Sequence, residues 1–438
     1  MDRRTFLTGF ATCLAGARFA STADAPRITT FLDWQRASRD ERARALQSLA
    51  ARIRELDLPI HAWVQIAPEK ATGSGALDSI PFGVKDIIET KGLATEYGSP
   101  IYKGRIGTDD AAIVRDLRGR GGVVMGKTHT TSFAFRTPAP TRNPRDRAHT
   151  PGGSSSGSAA AVAAGMIPFA LGTQTGGSML RPASYCGVTG FKPTYGLVPL
   201  DGVLAFAKSL DTLGFFTHTA ADMSALWEAM GRATITPELR VEVGRSEKFS
   251  IAVADPLPKV EPPMAATFTK TVARLRAAGV RLVPIDIIEM LDELIAANHT
   301  IMYYEGARFH EQRYKEYGER LEHMAALVRE GLQIPAQTYD ETRRGVDRWR
   351  ARAAEIYKAT PVILVPAATG AAPLGLQSTG DSSMNAPWTT LGVPAITIPM
   401  PVAASLPLGL QLTAAHGEEA RLLRTAARIE SLLHQSAS

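Results

Sequence analysis

The 438-residue chain holds two cysteines, Cys13 and Cys186, too few for a disulfide scaffold. It has no apolar run long enough to cross a bilayer, so no membrane insertion is expected. No cysteine pair has metal spacing. His310-Glu311 has no second histidine one helical turn away, so no metal site is expected. Neither sign of charge dominates: 49 Lys and Arg face 43 Asp and Glu, and the excess is scattered. That excludes a basic stripe for nucleic acid.

What is present is a 45% hydrophobic chain, enough for a large core. Its start is distinctive. Arg3-Arg4-Thr5-Phe6-Leu7 is a twin-arginine pattern, followed by a modestly apolar stretch to Ala17 and a possible cleavage site at Ser21-Thr22-Ala23. Residues 1–23 read as an export signal, which places the mature protein in the periplasm or outside the cell. Its removal takes away three arginines, one aspartate and Cys13, and lowers the net charge from +6 to +4. Cys186 then has no partner and reads as a small buried apolar residue.

Hydrophobic periodicity predicts helices over 33–57, 109–120, 158–165, 221–231, 263–278, 287–298 and 417–434. Short apolar runs predict strands at 80–84, 123–125, 249–254, 281–286, 362–366, 395–399 and 409–413. The stretch 190–196 reads as a turn-rich connection. Residues 300–357 read as a helical cover over the core. Helices alternating with apolar strands indicate an α/β fold, a large sheet covered on both faces.

Two short motifs compete for attention. Gly121-Gly122-Val123-Val124-Met125-Gly126-Lys127-Thr128 fits the phosphate-loop expression. A phosphate loop needs a strand before it and a polar loop within it. Here a helix precedes, and the supposed loop is an apolar strand. Gly153-Ser154-Ser155-Ser156-Gly157 fits the nucleophile elbow, which needs a buried strand leading in. The charged, proline-bearing run 142–151 cannot supply one.

The stronger signal is a pair of glycine-rich serine loops around an alanine-rich helix. One is Pro151-Gly152-Gly153-Ser154-Ser155-Ser156-Gly157-Ser158, the other Gly172-Thr173-Gln174-Thr175-Gly176-Gly177-Ser178. Lys85 stands at the end of the apolar strand before them. Glycines let backbone N–H groups approach a ligand closely. A serine hydroxyl needs a base to become a useful nucleophile. A lysine serves only when burial or its neighbours favour the neutral amine. Asp86 beside Lys85 opposes that shift if it faces the ammonium.

Together with Thr141-Arg142-Asn143-Pro144, Gly190-Phe191-Lys192-Pro193-Thr194 and Asn385-Ala386-Pro387-Trp388-Thr389, these motifs resemble the amidase signature family over roughly residues 30–435. The 24-position step from Ser154 to Ser178 is that family's spacing. The resemblance implies the amidase signature fold, with residues 24–438 as one amidase domain. It implies a catalytic set of Lys85 (base), Ser154 (proton relay) and Ser178 (nucleophile), with a cis peptide bond at Ser154. The oxyanion hole is then the backbone N–H groups of Thr175, Gly176, Gly177 and Ser178. It further implies hydrolysis of a small amide, aryl amide or carbamate, with no cofactor. The oligomeric state is not legible. Two positions depart from the family pattern, Gln174 where an acid is common and Leu180 where an arginine is usual, with Arg181 one step later. Tyr303, Tyr304 and Trp388 are aromatic candidates for the substrate pocket, with core packing as the alternative. Two other readings share the resemblance. One is a partner-dependent component like the glutaminase of a transamidating complex, which the export signal opposes. The other is a non-catalytic binding protein, which the intact Lys85, Ser154 and Ser178 oppose.

Overall fold

A computed structural model describes residues 28–231, 250–402 and 406–435. The expected export signal lies outside the described residues.

Among the described residues, eleven strands form one mixed sheet. In chain order they are β1 (Trp63–Ile66), β2 (Pro81–Lys85), β3 (Val123–Thr128), β4 (Phe169–Gln174), β5 (Thr189–Lys192), β6 (Thr212–Thr217), β7 (Ser250–Ala254), β8 (Arg281–Ile285), β9 (Val362–Pro366), β10 (Ala395–Pro399) and β11 (Gly409–Ala414). Their spatial order is β1-β3-β2-β4-β6-β5-β10-β11-β9-β7-β8. β2 runs parallel to β3 and β4, and β7 runs parallel to β8 and β9. The strands between these groups pair antiparallel. Every residue of β2, β3, β4, β6, β9 and β11 is buried. Burial of alternate residues on both sides requires cover on both faces. The edge strand β8 is half exposed and carries Pro284, which has no N–H to offer a further strand.

Several expectations shift. The helix expected over 33–57 is two helices, Phe31–Arg36 and Arg39–Asp57. Ser38 separates them, because its side chain caps the Glu41 N–H while the Glu41 carboxylate reaches back to the Ser38 N–H. The helix expected to end at 298 continues as Ile288–Tyr317. With His323–Leu332 and Ala336–Ala359 it makes up the helical stretch expected at 300–357. The connection expected at 190–196 opens with strand β5. Periodicity does not signal β4, β6 or the helix Leu180–Cys186. β4 and β6 are buried on both faces, and the helix is wholly buried, so none shows polar alternation.

The pairing of β2 with β4 positions the functional region. Phe82 lies opposite Phe169 and Val84 opposite Leu171, so the strands run in parallel toward the Gly172–Ser178 loop. The rings of Phe82 and Phe169 stack with centroids 5.2 Å apart. This register delivers Lys85, the last residue of β2, beside Thr173.

Candidate active site

Lys85 is completely buried, and its Nζ donates to Ser154 Oγ at 2.7 Å and to Thr173 Oγ1 at 2.8 Å. The Thr173 carbonyl lies at 3.5 Å. All three partners are uncharged. Burial pulls the Lys85 pKa well below its ordinary 10.5, and the nearby Asp211 carboxylate opposes this only in part. Asp86, the neighbour suspected of opposing the shift, is engaged elsewhere. Its carboxylate accepts the N–H groups of Glu96 and Gly98 and faces the buried Lys127.

Ser154 follows a cis peptide bond from Gly153, as the resemblance implied. Ser155, its neighbour, turns away from the lysine, and its hydroxyl donates to the Thr173 carbonyl at 3.2 Å. The Ser155 N–H donates to the Ser178 carbonyl at 3.2 Å, which stitches the two serine loops together. The helix Ser156–Ala163 starts immediately after and is made of small residues. A side chain at Gly157 would come within 2.1 Å of the Ala62 carbonyl, so only glycine allows this close approach.

Ser154 and Ser178 share a cavity of about 410 Å³. Thr175, Gly176 and Gly177 line it too. The Ser178 hydroxyl makes no hydrogen bond to protein among the described residues and is left open to a ligand. The N–H groups of Gly176, Gly177 and Ser178 likewise donate to no protein group there. Three unspent donors in consecutive residues beside a hydroxyl form an anion-accepting corner.

Residues behind this loop fix its shape. The Thr389 hydroxyl donates to the Gly176 carbonyl at 2.7 Å. Asn298 Nδ2 donates to the Thr175 carbonyl at 3.1 Å. The Thr175 hydroxyl donates to Asp211 at 2.6 Å. With the carbonyls turned back toward these donors, the amides are left for the cavity. Gly177 is required sterically, since a Cβ there would lie 2.6 Å from Asn385 Oδ1.

Gln174, one of the two departures, has a definite part in this. Its Oε1 accepts the N–H groups of Met179 and Leu180 at 2.8 and 3.0 Å, and so caps the helix that follows Ser178. Its Nε2 donates to Thr389 Oγ1 at 2.9 Å. An ionised acid can accept but cannot donate. The amide therefore orients the Thr389 hydroxyl so that its proton goes to Gly176.

Leu180 and Arg181, the second departure, are both buried, and only the arginine lines the cavity. Arg181 Nη2 donates to the Gly153 carbonyl at 2.6 Å and to Thr379 Oγ1 at 3.1 Å, while its buried Nε has no partner among the described residues. Sequence reasoning leaves this arginine unassigned. A buried cation within four residues of the expected nucleophile is the signal that could have found it. The parts played by Asp211, Asn298 and Thr389 are also missed, because nothing local shows which distant loop a residue braces, even for Thr389 at the end of the Asn385–Thr389 motif.

The aromatic candidates do not line the cavity. Trp388 is fully buried and donates its Nε1 proton to the Met384 carbonyl at 3.0 Å. Tyr303 stacks on His299 and Tyr304 on Tyr339. Phe135, Phe206 and Met302 supply the apolar wall instead. Lys127 of the phosphate-loop match sits inside β3 and donates to Thr95 Oγ1 at 2.9 Å, so no loop exists there. No strand leads into the elbow match. His310 is buried against the rings of Phe133 and Phe309, and burial holds its pKa down at about 3. Among the described residues no cluster of His, Cys, Asp or Glu has the arrangement of a metal site.

Comparison with known proteins agrees with this geometry. A family model described as Amidase matches residues 44–423. A glutamyl-tRNA(Gln) amidotransferase subunit of Methanospirillum hungatei is 31% identical over 415 residues, 84% of this chain and 96% of that protein. The solved structure of the corresponding Thermotoga maritima protein superposes with a TM-score of 0.77 at 28% identity, over 92% of this chain and 94% of that one. The peptide amidase of Stenotrophomonas maltophilia gives a TM-score of 0.72 at 25% identity, over 90% of this chain and 94% of that one. The paired serine loops, the buried lysine beside them and a family match over most of the chain agree: this protein belongs to the amidase signature family.

Proposed function

We propose that this chain hydrolyses the carbon–nitrogen bond of a small non-peptide amide, aryl amide or carbamate through an acyl-enzyme on Ser178. The observation that carries the reading is the Lys85 amine, fully buried and bonded only to neutral oxygens among the described residues, one of them Ser154 Oγ. Ser178 Oγ attacks the carbonyl carbon. Its proton passes to Ser154, and Ser154 passes its own proton to Lys85. The carbonyl oxygen becomes an oxyanion held by the N–H groups of residues 175–178. Each such donor is worth ~2.7–4 kcal/mol of transition-state stabilisation. The relay then returns a proton to the nitrogen, the carbon–nitrogen bond breaks, and the amine leaves. Water attacks the acyl-enzyme by the same route and frees Ser178. The chain's own groups provide every proton transfer in this cycle. The cavity wall of Arg136, Arg181, Thr379 and Ser382 suits a polar substrate.

The test is a fluorophosphonate probe on the purified chain alone, read by intact mass and peptide mapping. One adduct on Ser178 is the expected result. An adduct on Ser155 would return the nucleophile-elbow reading.

A second reading has support from the relatives named as amidotransferase subunits. In it the same site works only within a complex. Amide turnover by the purified chain without any partner would exclude it.

The twin-arginine pattern supports export of the folded protein. Changing Arg3 and Arg4 together to lysine should keep residues 1–23 attached and retain the protein inside the cell. Unchanged processing and location would refute the export reading.

A further inference from the structure

A second, larger cavity lies away from Ser154 and Ser178. Its volume is about 800 Å³, roughly twice that of the serine cavity. It opens between the C-terminal half of the helix Ala336–Ala359, the turn Leu391–Val393 that enters β10, and the start of the helix Glu419–Gln435. Cavities of ~300–1,000 Å³ are the size that holds small molecules.

Its lining is rich in basic side chains, each with an acidic partner. Arg343, Arg350, Lys358 and Arg421 line it, and Glu418 is the single acid among the lining residues. The cations are not equally available. Arg350 is spent on the Leu391 and Thr390 carbonyls and on Asp347. Lys358 pairs with Glu355 in solvent. Arg343 uses only Nη1, on Ser209, Tyr339 and Glu305. Arg421 uses only Nε, on Glu418. Among the described residues, Nη2 of Arg343 and both Nη groups of Arg421 therefore bond to no protein oxygen. The lining also includes the apolar side chains of Ala353, Leu391 and Val393.

We propose that this cavity is a second binding site, for a small molecule that carries a carboxylate on an apolar body. The planar guanidinium fork matches a carboxylate in a two-point contact. The apolar wall gains from covering a hydrocarbon chain or ring. Nothing in the amide chemistry uses these residues, so the site stands or falls apart from the catalytic reading.

Octanoate is a suitable probe, with inorganic phosphate as the headgroup-only comparison, both followed by calorimetry on the full chain. One molecule of octanoate should bind per chain, and equimolar phosphate should not displace it. Arg343→Gln and Arg421→Gln should each weaken binding at least tenfold. Ala354→Trp, at a solvent-facing position of the wall, keeps both arginines and narrows the cavity. It should weaken binding to the same extent, and it decides the matter if an arginine change harms folding. Absence of octanoate binding, equal competition by phosphate, or unchanged affinity in the variants would overturn the proposal.

Discussion

Ser178→Ala should lower amide turnover by ~10⁴-fold or more while leaving the melting temperature within about a degree of the parent. In the proposed cycle this change removes the atom that forms the covalent bond, which sets the magnitude. The fold should be indifferent, because the Ser178 hydroxyl makes no protein hydrogen bond among the described residues. Its backbone carbonyl, which accepts the Ser155 N–H, survives the change. The variant keeps all the oxyanion donors, so substrate affinity should stay close to that of the parent. Turnover by stopped assay and unfolding by calorimetry give the two readings. Activity within tenfold of the parent would remove Ser178 from the chemistry.

Lys85→Met should cost ~10²–10⁴-fold in rate at neutral pH, the usual range for losing a general base. Its pH dependence is the sharper signature. A base must be neutral to accept a proton, and burial has moved the Lys85 pKa well below 10.5. In the parent, activity should be full above that lowered pKa and should fall as the pH drops through it. In the variant this limb should vanish, and the residual rate should climb with hydroxide concentration. Stability should move the other way. Between the folded pKa and 10.5 the unfolded chain holds a proton on Lys85 that the folded chain does not, so parent stability rises with pH across that window. Methionine carries no such penalty, and Lys85→Met should melt at a higher temperature than the parent at pH 7. A variant that loses activity and also melts lower would indicate a structural role for Lys85 instead.

How much of this was legible depended on how far apart the cooperating residues lie. Lys85, Ser154 and Ser178 each sit in a short, unusual stretch, and the spacing of the two serines is itself a signature. The elements that carry them were partly visible. β2 announced itself as an apolar run bounded by a lysine, and the glycine loop before Ser156 marked the start of a helix. β4, which leads directly into the Gly172–Ser178 loop, was invisible because both its faces are buried and no alternation survives. The braces of that loop were hidden for another reason. Asn298 and Thr389 reach it from 123 and 213 positions away; Asn298 carries no local mark, and the Asn385–Thr389 motif does not say which loop its threonine braces. Asp211 has no part in the sequence reading. Only the fold reveals that it accepts three protein donors and faces the lysine, with burial raising its pKa to about 6.

The place of β11 bears on how the chain is made. Among the described residues it is the last strand in sequence, yet it lies between β10 and β9 and joins the seven strands from β1 to β10 to the three strands β9, β7 and β8. A chain released from the ribosome before Gly409 would already contain Lys85, Ser154, Ser178 and the residues Asp211, Asn298 and Thr389 that brace the Gly172–Ser178 loop. It would also present two open strand edges where the native sheet is continuous, one of them along the wholly buried run Val362–Pro366. Unpaired apolar edges of this kind invite aggregation and proteolysis. A truncation before Gly409 should therefore be prone to aggregation and proteolysis although it holds all the residues of the candidate site.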